Sequence, residues 1–203
     1  MRRIKIAVLV SGGGTNLQAI IDAQKSGILK SGEVSLVIAD KKEAYALTRA
    51  ENNNIKTAVI VKKECASKAE FEEKIISVLE ENNIDFIILA GFMQILSENF
   101  TKKYANRIIN VHPSLIPSFC GEGFYGLKVH EAALDYGVKV TGATVHFVNE
   151  IPDGGEIIMQ KAVEIMPGDT PETLQKRVME NAEWIILPRA AEIVSQKMLE
   201  EEK

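Results

Sequence analysis

The 203-residue chain has few of the residues that mark extracellular or metal-dependent proteins. It contains two cysteines, three histidines and one tryptophan. Two cysteines are too few for a disulfide scaffold or a cysteine-based zinc site, and the histidines lack the spacing of metal ligands. We therefore expect neither a disulfide framework nor a bound metal.

Excess charge of one sign and long apolar segments are also lacking. The formal net charge is −4, whereas nucleic-acid-binding proteins are basic. No apolar run approaches the roughly 20 residues that a membrane-spanning helix needs. The apolar stretch Ile4–Val10 is short and enters a glycine-rich turn, which favours a first β-strand over a signal peptide. We expect a cytoplasmic protein whose partners are neither nucleic acid nor membrane.

Strands and helices are predicted to alternate along the first half of the chain. The continuous β-branched run Ile4–Val10 is typical of a strand covered on both faces. Further apolar runs at residues 34–39, 57–61 and 84–90 alternate with segments of helical periodicity. This order predicts an α/β protein with a Rossmann-like, doubly wound and mostly parallel sheet.

The second half departs from this alternation. Residues 138–149 and 156–163 are predicted to form an antiparallel strand pair. A last helix is expected to start at Asp169 or Thr170 and to break at Pro188. No repeat or linker interrupts the sequence, so we expect one domain over residues 1–203.

The segment Ser11-Gly12-Gly13-Gly14-Thr15-Asn16 follows the first strand and opens the first helix. Ligands of open α/β sheets bind beyond the carboxyl ends of the strands, where this segment lies. Glycine lets the backbone approach an anion, and a helix N-terminus offers free N–H groups. We predict a phosphate site in which a side chain at Gly14 would crowd the ligand. A tight turn without a ligand is the alternative interpretation.

Asn110 and His112 are the catalytic candidates that the strand pattern offers. Residues two apart in a strand point to the same side, so an amide and an imidazole would face one ligand atom. Such a pair can stabilise an oxyanion, although a structural histidine at a strand end is an equal alternative. Asp153 is a turn residue on its own, and it gains a role only if the fold brings it against His112.

Three other chemically notable side chains receive structural interpretations. His146 lies in a predicted half-buried strand, and His130 is expected at the surface of a helix. Cys120 lies in a loop but lacks the neighbouring motif of a nucleophile. We assign no catalytic role to any of the three.

Five segments together resemble the phosphoribosylglycinamide formyltransferase family, the folate-dependent enzymes of purine synthesis. The matching sequences are SGGGTNLQAII, ILAGFMQIL, INVHPSLIPSF, VTGATVHFV and DGGEIIMQ. They occur in the family's order and spacing over nearly the whole chain. Met-tRNA formyltransferases and formyltetrahydrofolate deformylases share part of this core, but they carry an extra domain for which 203 residues leave no room.

The resemblance implies ligands and site residues. The co-substrate is 10-formyltetrahydrofolate, the acceptor is glycinamide ribonucleotide, and no metal takes part. The implied catalytic residues are Asn110, His112 and Asp153. The residues implied to hold the substrate phosphate are Gly14, Thr15 and Asn16. Glu183 is implied to contact the glycinamide end of the substrate. The implied folate-binding residues are Lys68, Met93, Gln94, Ile95, Leu96 and Asn110.

The resemblance also implies an organisation and a mechanism. Residues 1–100 would form a phosphate-binding half and residues 101–203 a catalytic and folate-binding half, in a monomer or homodimer. The substrate amine attacks the formyl carbon directly. Asn110 and protonated His112 stabilise the tetrahedral oxyanion, and Asp153 holds the imidazolium.

Some positions depart from the family pattern, and some alternatives stay open. Gln94 stands where many relatives have arginine, Trp184 replaces a common histidine, and residues 120–125 differ from the usual loop. The alternatives are a formyltransferase acting on another amine, a nicotinamide-dependent dehydrogenase and a non-catalytic nucleotide-binding module. Asp40, at the end of the second strand, suits the dehydrogenase, but Leu17 replaces its third glycine.

Overall fold

The computed structural model describes residues 2–202 and contains one mixed sheet in the order β3-β2-β1-β4-β5-β6-β7. The strands are β1 (Ile4–Val10), β2 (Gly32–Ala39), β3 (Lys56–Val59), β4 (Phe86–Leu89), β5 (Ile108–His112), β6 (Val140–Phe147) and β7 (Ile157–Glu164). Strands β1 to β5 pair in parallel, whereas β6 pairs antiparallel with both β5 and β7. The predicted α/β fold, with its antiparallel C-terminal pair, is confirmed.

The helices of the described residues are α1 (Thr15–Ser26), α2 (Tyr45–Glu51), α3 (Lys68–Glu81), α4 (Glu98–Lys103), α5 (Leu127–Tyr136), α6 (Pro171–Val178) and α7 (Trp184–Glu201). Local signals explain several of their ends. Gly27 adopts the left-handed conformation that ends α1, and Ser67 Oγ accepts a hydrogen bond from the Glu70 N–H at the start of α3. Within residues 2–202, none of the helices has both the length and the apolar character that crossing a bilayer requires.

The helical segments differ from the prediction in two places. Helix α4 is not among the predicted helices, although Ser97 caps its N-terminus. The predicted break at Pro188 is wrong, because Pro188 lies inside α7. The irregularity comes one turn earlier, where Met179–Glu183 forms a π-helical turn. In a regular helix the ring of Pro188 would crowd the carbonyl of Trp184, directly after this turn, so the distortion is taken up before the proline.

Apolar cores fill both faces of the sheet. Alternate residues of β1 enter different cores: Ile6 and Val8 face the side covered by α1 and α7, whereas Ala7 and Leu9 face the side covered by α3 and α4. All four side chains are completely buried. The continuous apolar run of β1 therefore reflects burial on both faces, and the polar residues that follow the strands are left at the edge of the sheet.

Candidate active site

A cleft of about 1090 Å³ opens at the carboxyl edge of the sheet, where ligands of open α/β sheets bind. Its wall is formed by the segments that follow β1 and β4, by the ends of β5 and β6, and by the π-helical turn. The predicted site residues that line it are Gly14, Thr15, Asn16, Met93, Gln94, Ile95, Leu96, Asn110, His112, Asp153 and Glu183. Lys68 does not line the cleft, and its half-exposed side chain points along α3 toward Glu72.

His112 and Asp153 come into contact although 40 residues separate them in the sequence. Asp153 Oδ2 lies 3.3 Å from His112 Nδ1 and accepts a hydrogen bond from the Gly121 N–H at 2.8 Å. Asp153 also has the left-handed backbone of a turn residue, with φ of 56°. The turn conformation and the contact with His112 are therefore both present.

His146 belongs to the same cluster, which the structural interpretation of its strand misses. The register of β5 and β6 pairs His146 with Asn110. His146 Nε2 lies 3.3 Å from Asn110 Nδ2 and 3.4 Å from Asp153 Oδ1. Its Nδ1 donates to the Phe147 carbonyl oxygen at 2.7 Å, since a carbonyl can only accept. The cross-strand register brings His146 beside Asn110, and neither strand alone indicates it.

The electrostatics of the cluster are set by burial. His112 is 4% exposed, and its Nε2 lies 2.8 Å from the Phe119 carbonyl oxygen. Burial lowers the pKa of His112 below its ordinary value, although Asp153 and the Phe119 carbonyl act in the opposite direction. Burial alone would raise the pKa of Asp153, but the neighbouring imidazoles of His146 and His112 and the hydrogen bond from the Gly121 N–H lower it. The cluster thus contains an ionised Asp153 carboxylate, and burial and the two acceptors beside the His112 ring act on its protonation in opposite directions.

Burial of the ring therefore acts against the protonated His112 of the predicted mechanism, whereas Asp153 favours it. An oxyanion next to the ring would favour the imidazolium, because an opposite charge within a few ångströms stabilises the charged form. The cluster can respond to the charge that develops during a reaction.

The glycine-rich segment after β1 packs closely against α2. Gly14 has a left-handed backbone (φ 71°), and a Cβ there would lie 2.6 Å from the Cβ of Ala46. The Gly12 carbonyl accepts from the Ala46 N–H at 3.1 Å, and the Gly13 carbonyl accepts from Arg49 Nε at 2.8 Å. A side chain at Gly14 would therefore meet Ala46 before any ligand. The N–H groups at the start of α1 have no partner in their own helix and suit an anion.

Asn16 and Glu183 join this segment to the π-helical turn. Both side chains are buried, and Asn16 Nδ2 donates to Glu183 Oε2 at 2.7 Å. Burial raises the pKa of Glu183 to about 7, although the hydrogen bond from Asn16 acts against this. The Glu183 carboxyl can therefore gain or lose a proton near neutral pH. The Asn16 side-chain amide is thus engaged by Glu183.

The segment after β4 has no regular secondary structure, and polar contacts fix it at three points. The hydrogen bonds run from the Met93 N–H to Ser11 Oγ (2.9 Å), from Gln94 Nε2 to Asp40 Oδ2 (2.8 Å) and from the Ser97 N–H to Glu72 Oε1 (2.8 Å). Met93 and Ile95 remain exposed in the cleft wall, whereas Leu96 is buried. Exposed apolar side chains on a fixed backbone are suited to a flat, partly apolar ligand.

The prediction that His130 lies at the surface is wrong. Its side chain on α5 is completely buried in the cleft wall, and neither ring nitrogen has a hydrogen-bond partner within residues 2–202. Burial lowers the pKa of His130 to about 4, so the ring is neutral. Burial also raises the pKa of the Cys120 thiol, in line with its interpretation as an unreactive residue. The described residues contain no group of three His, Cys, Asp or Glu side chains placed to hold a metal ion.

Known sequences resemble the chain over most of its length. Residues 4–191 match the formyl transferase family. The phosphoribosylglycinamide formyltransferase of Haemophilus influenzae is 42% identical over 184 residues, which cover 91% of this chain and 84% of that protein. The human trifunctional purine biosynthetic protein adenosine-3 is 45% identical over 194 residues, 96% of this chain, but the chain spans only 18% of that protein's length.

Solved structures resemble the fold in the same way. Glycinamide ribonucleotide transformylase 1 from Symbiobacterium toebii has a TM-score of 0.90 at 38% identity, covering 96% of this chain and 89% of that one. Phosphoribosylglycinamide formyltransferase from Brucella melitensis has a TM-score of 0.87 at 41% identity, covering 96% of both chains. With the family match, the relatives and the solved structures all covering most of its length, the chain belongs to the formyl transferase family.

Proposed function

We propose that this protein transfers the formyl group of 10-formyltetrahydrofolate to the amine of 5′-phosphoribosylglycinamide, a step of de novo purine biosynthesis. The observation that carries the proposal is the contact of Asn110, His112, His146 and Asp153 in a cleft that also contains a helix N-terminus. Family membership supports the reaction class. We place the reaction in the cytoplasm, although plant relatives are named chloroplastic.

The ribonucleotide binds at the α1 end of the cleft. Its phosphate accepts hydrogen bonds from the first N–H groups of α1, including those of Thr15 and Asn16, and is further stabilised by the helix dipole. Glu183 contacts the glycinamide end. Because the pKa of Glu183 is about 7, its carboxyl can accept a proton from an ammonium group and leave the amine free to attack.

The reaction takes place at the β5–β6 end. Attack of the amine on the formyl carbon gives a tetrahedral oxyanion, and Asn110 donates one amide hydrogen to it while His146 holds the other. His112 Nε2 gives up its hydrogen bond with the Phe119 carbonyl oxygen and binds the oxyanion instead. The chain around Phe119 therefore has to shift. Asp153 stabilises the imidazolium that the oxyanion favours. The proton lost by the amine passes to the folate nitrogen through His112 or water.

The residues around the segment after β4 fit a folate co-substrate. The exposed side chains of Met93 and Ile95 supply apolar contact, and the backbone of this segment supplies hydrogen-bonding groups beside them. The cleft volume of about 1090 Å³ lies just above the usual range for ligand pockets, so two ligands can lie in it side by side. In this proposal residues 1–203 act as one formyltransferase domain.

The test is to incubate the purified protein with both substrates and to follow tetrahydrofolate formation and the formylated product. We expect both to appear with the ribonucleotide, and neither with glycinamide that lacks the ribose phosphate. The Asp153→Asn variant serves as a folded control with greatly reduced activity. Absence of tetrahydrofolate would contradict the proposal, and transfer to another amine alone would indicate a different acceptor.

A further inference from the structure

A buried carboxylate outside the reaction cluster contacts the segment after β4, which the proposed function assigns to the co-substrate. Glu72 on α3 has a side chain that is 7% exposed. Its Oε1 accepts the Ser97 N–H at 2.8 Å, and its Oε2 accepts the Ser97 hydroxyl. Lys68 Nζ lies 3.8 Å from Oε1, toward solvent. Both carboxylate oxygens are thus engaged, as expected of a buried charge.

Ser97 marks the end of the irregular segment that follows β4. Its Oγ accepts the Phe100 N–H at 3.3 Å and so caps α4, while its own N–H and hydroxyl are bound by Glu72. At the other end of the segment, Ser11 Oγ accepts the Met93 N–H at 2.9 Å. Glu72 is therefore the downstream anchor of the backbone that presents Met93 and Ile95 to the cleft.

Lys68 depends on the same carboxylate. It lies one helical turn before Glu72, and its side chain is 45% exposed, so water leaves it many positions. The buried Glu72 is fixed by Ser97 and gives the Lys68 ammonium a preferred place. Since Lys68 does not line the cleft, it can reach only the part of a ligand that extends beyond the segment after β4.

We propose that Glu72 is a positioning residue for the formylfolate co-substrate, acting on the segment after β4 through Ser97 and on the placement of Lys68. The proposal rests on the proposed function, which assigns this segment to the folate. Glu72 touches neither ligand nor reacting atoms. Its loss should therefore weaken formylfolate binding and leave the chemical step and the binding of the ribonucleotide nearly unchanged.

The experiment compares Glu72→Ala and Glu72→Gln with Glu73→Ala, a control at the exposed neighbouring position on α3. For Glu72→Ala we expect KM for formylfolate to rise roughly tenfold, the effect of losing one buried hydrogen bond. KM for the ribonucleotide and kcat at saturation should stay within about twofold of wild type, a change of less than one such bond. Glu72→Gln still accepts the Ser97 N–H but loses its charge toward Lys68, so its effect should be smaller. Glu73→Ala should resemble wild type.

A second measurement does not depend on catalysis. Hydrogen exchange of residues 91–97 should be faster in Glu72→Ala than in wild type and unchanged in Glu73→Ala, and calorimetry with tetrahydrofolate should show the matching loss of affinity. If Glu72→Ala does not fold, Glu72→Gln and Ser97→Ala take its place. Equal rises of both KM values, an unchanged formylfolate KM, or unchanged exchange would overturn the proposal. A wild-type protein that binds tetrahydrofolate without formyl transfer would contradict the proposed function alone.

Discussion

The two ends of the cleft are built from different parts of the chain. At the β5–β6 end, side chains from two strands and one turn contact each other, and His146 and Asp153 hold their neighbours in place. At the α1 end, backbone groups and close packing of glycine against α2 form the site. There, the buried Asn16 Oδ1 has no partner within residues 2–202. Changes at the first end should therefore reduce kcat. Changes at the second should mainly alter binding or stability, and only Glu183 there also acts on the attacking amine.

The largest expected effect falls on Asp153 at the reaction end. Asp153→Asn removes the charge beside His112, while asparagine tolerates the left-handed backbone of the turn. We expect kcat to fall about 10³–10⁴-fold, as when a carboxylate that orients a catalytic histidine is replaced elsewhere. The pKa of His112 should fall further below its ordinary value, because the opposing contribution of Asp153 is lost.

NMR titration of the His112 ring protons measures this pKa directly, and steady-state kinetics give kcat and the two KM values. Asp135→Asn, at an exposed position of α5, is the matched control and should change neither. An identical His112 pKa in wild type and Asp153→Asn would show that the contact has no electrostatic effect.

Asn110→Ala should have the next largest effect. It removes one donor to the oxyanion, which costs about 10²–10³ in kcat at typical magnitudes. The melting temperature should change little, because Asn110 is only half-buried near the end of β5. The rate at saturating concentrations of both substrates measures this loss of kcat. Asn99→Ala, at an exposed position of α4, is the control. Wild-type activity of this variant would show that Asn110 takes no part in the reaction.

At the binding end, Glu183→Gln should alter stability in a pH-dependent way. The pKa of Glu183 is about 7 in the folded protein, whereas an unfolded glutamate titrates near 4.3. The folded state thus binds the proton more tightly, and its stability falls as pH rises between these values. Glutamine does not ionise, so over this range the stability of the variant should rise relative to that of wild type, by at most about 4 kcal/mol. Melting temperatures from pH 4 to 8 measure the difference, and a pH-independent difference would contradict the assignment.

The smallest effects should come from two adjacent glycines. Substitution of one should affect ligand binding, and substitution of the other should affect protein stability. Gly13 has nothing within 4 Å of the position of a Cβ, whereas a Cβ at Gly14 would lie 2.6 Å from Ala46. Gly13→Ala should leave the melting temperature intact and raise the ribonucleotide KM about tenfold, or ~1.4 kcal/mol. Gly14→Ala should lower the melting temperature, through the clash and a left-handed backbone that costs about 1–2 kcal/mol. Equal ribonucleotide KM values for Gly13→Ala and wild type would show that the phosphate binds elsewhere.

Local rules predicted the parts of the site that lie within one element. Strand periodicity placed Asn110 and His112 on one side of β5, and the strand-to-helix transition located the glycine-rich segment. The rest depends on contacts between distant elements. His146 faces Asn110 because of the register of β5 and β6, and no single strand specifies its register. The contact of Asp153 with His112 depends on how the chain returns after β6, so it followed from the family resemblance alone.

Side-chain burial on helices was the least predictable feature. His130 is buried because the rest of the fold covers both it and its neighbour Val129, whereas the periodicity of α5 alone is compatible with an exposed histidine. The link between Asn16 and Glu183 crosses 167 positions of the sequence. Such contacts are decided by tertiary packing, and local propensity carries little information about them.

The π-helical turn Met179–Glu183 makes the position of Glu183 depend on chain length. Each residue of a helix advances by about 100° around its axis. The wider turn directs Glu183 toward Asn16 while Leu187 and Val194 of α7 remain in the core. Deleting one residue here would restore a regular helix, but it would turn either Glu183 away from Asn16 or α7 away from the sheet. Deletions and insertions, more than substitutions, are therefore the changes that this segment cannot accommodate.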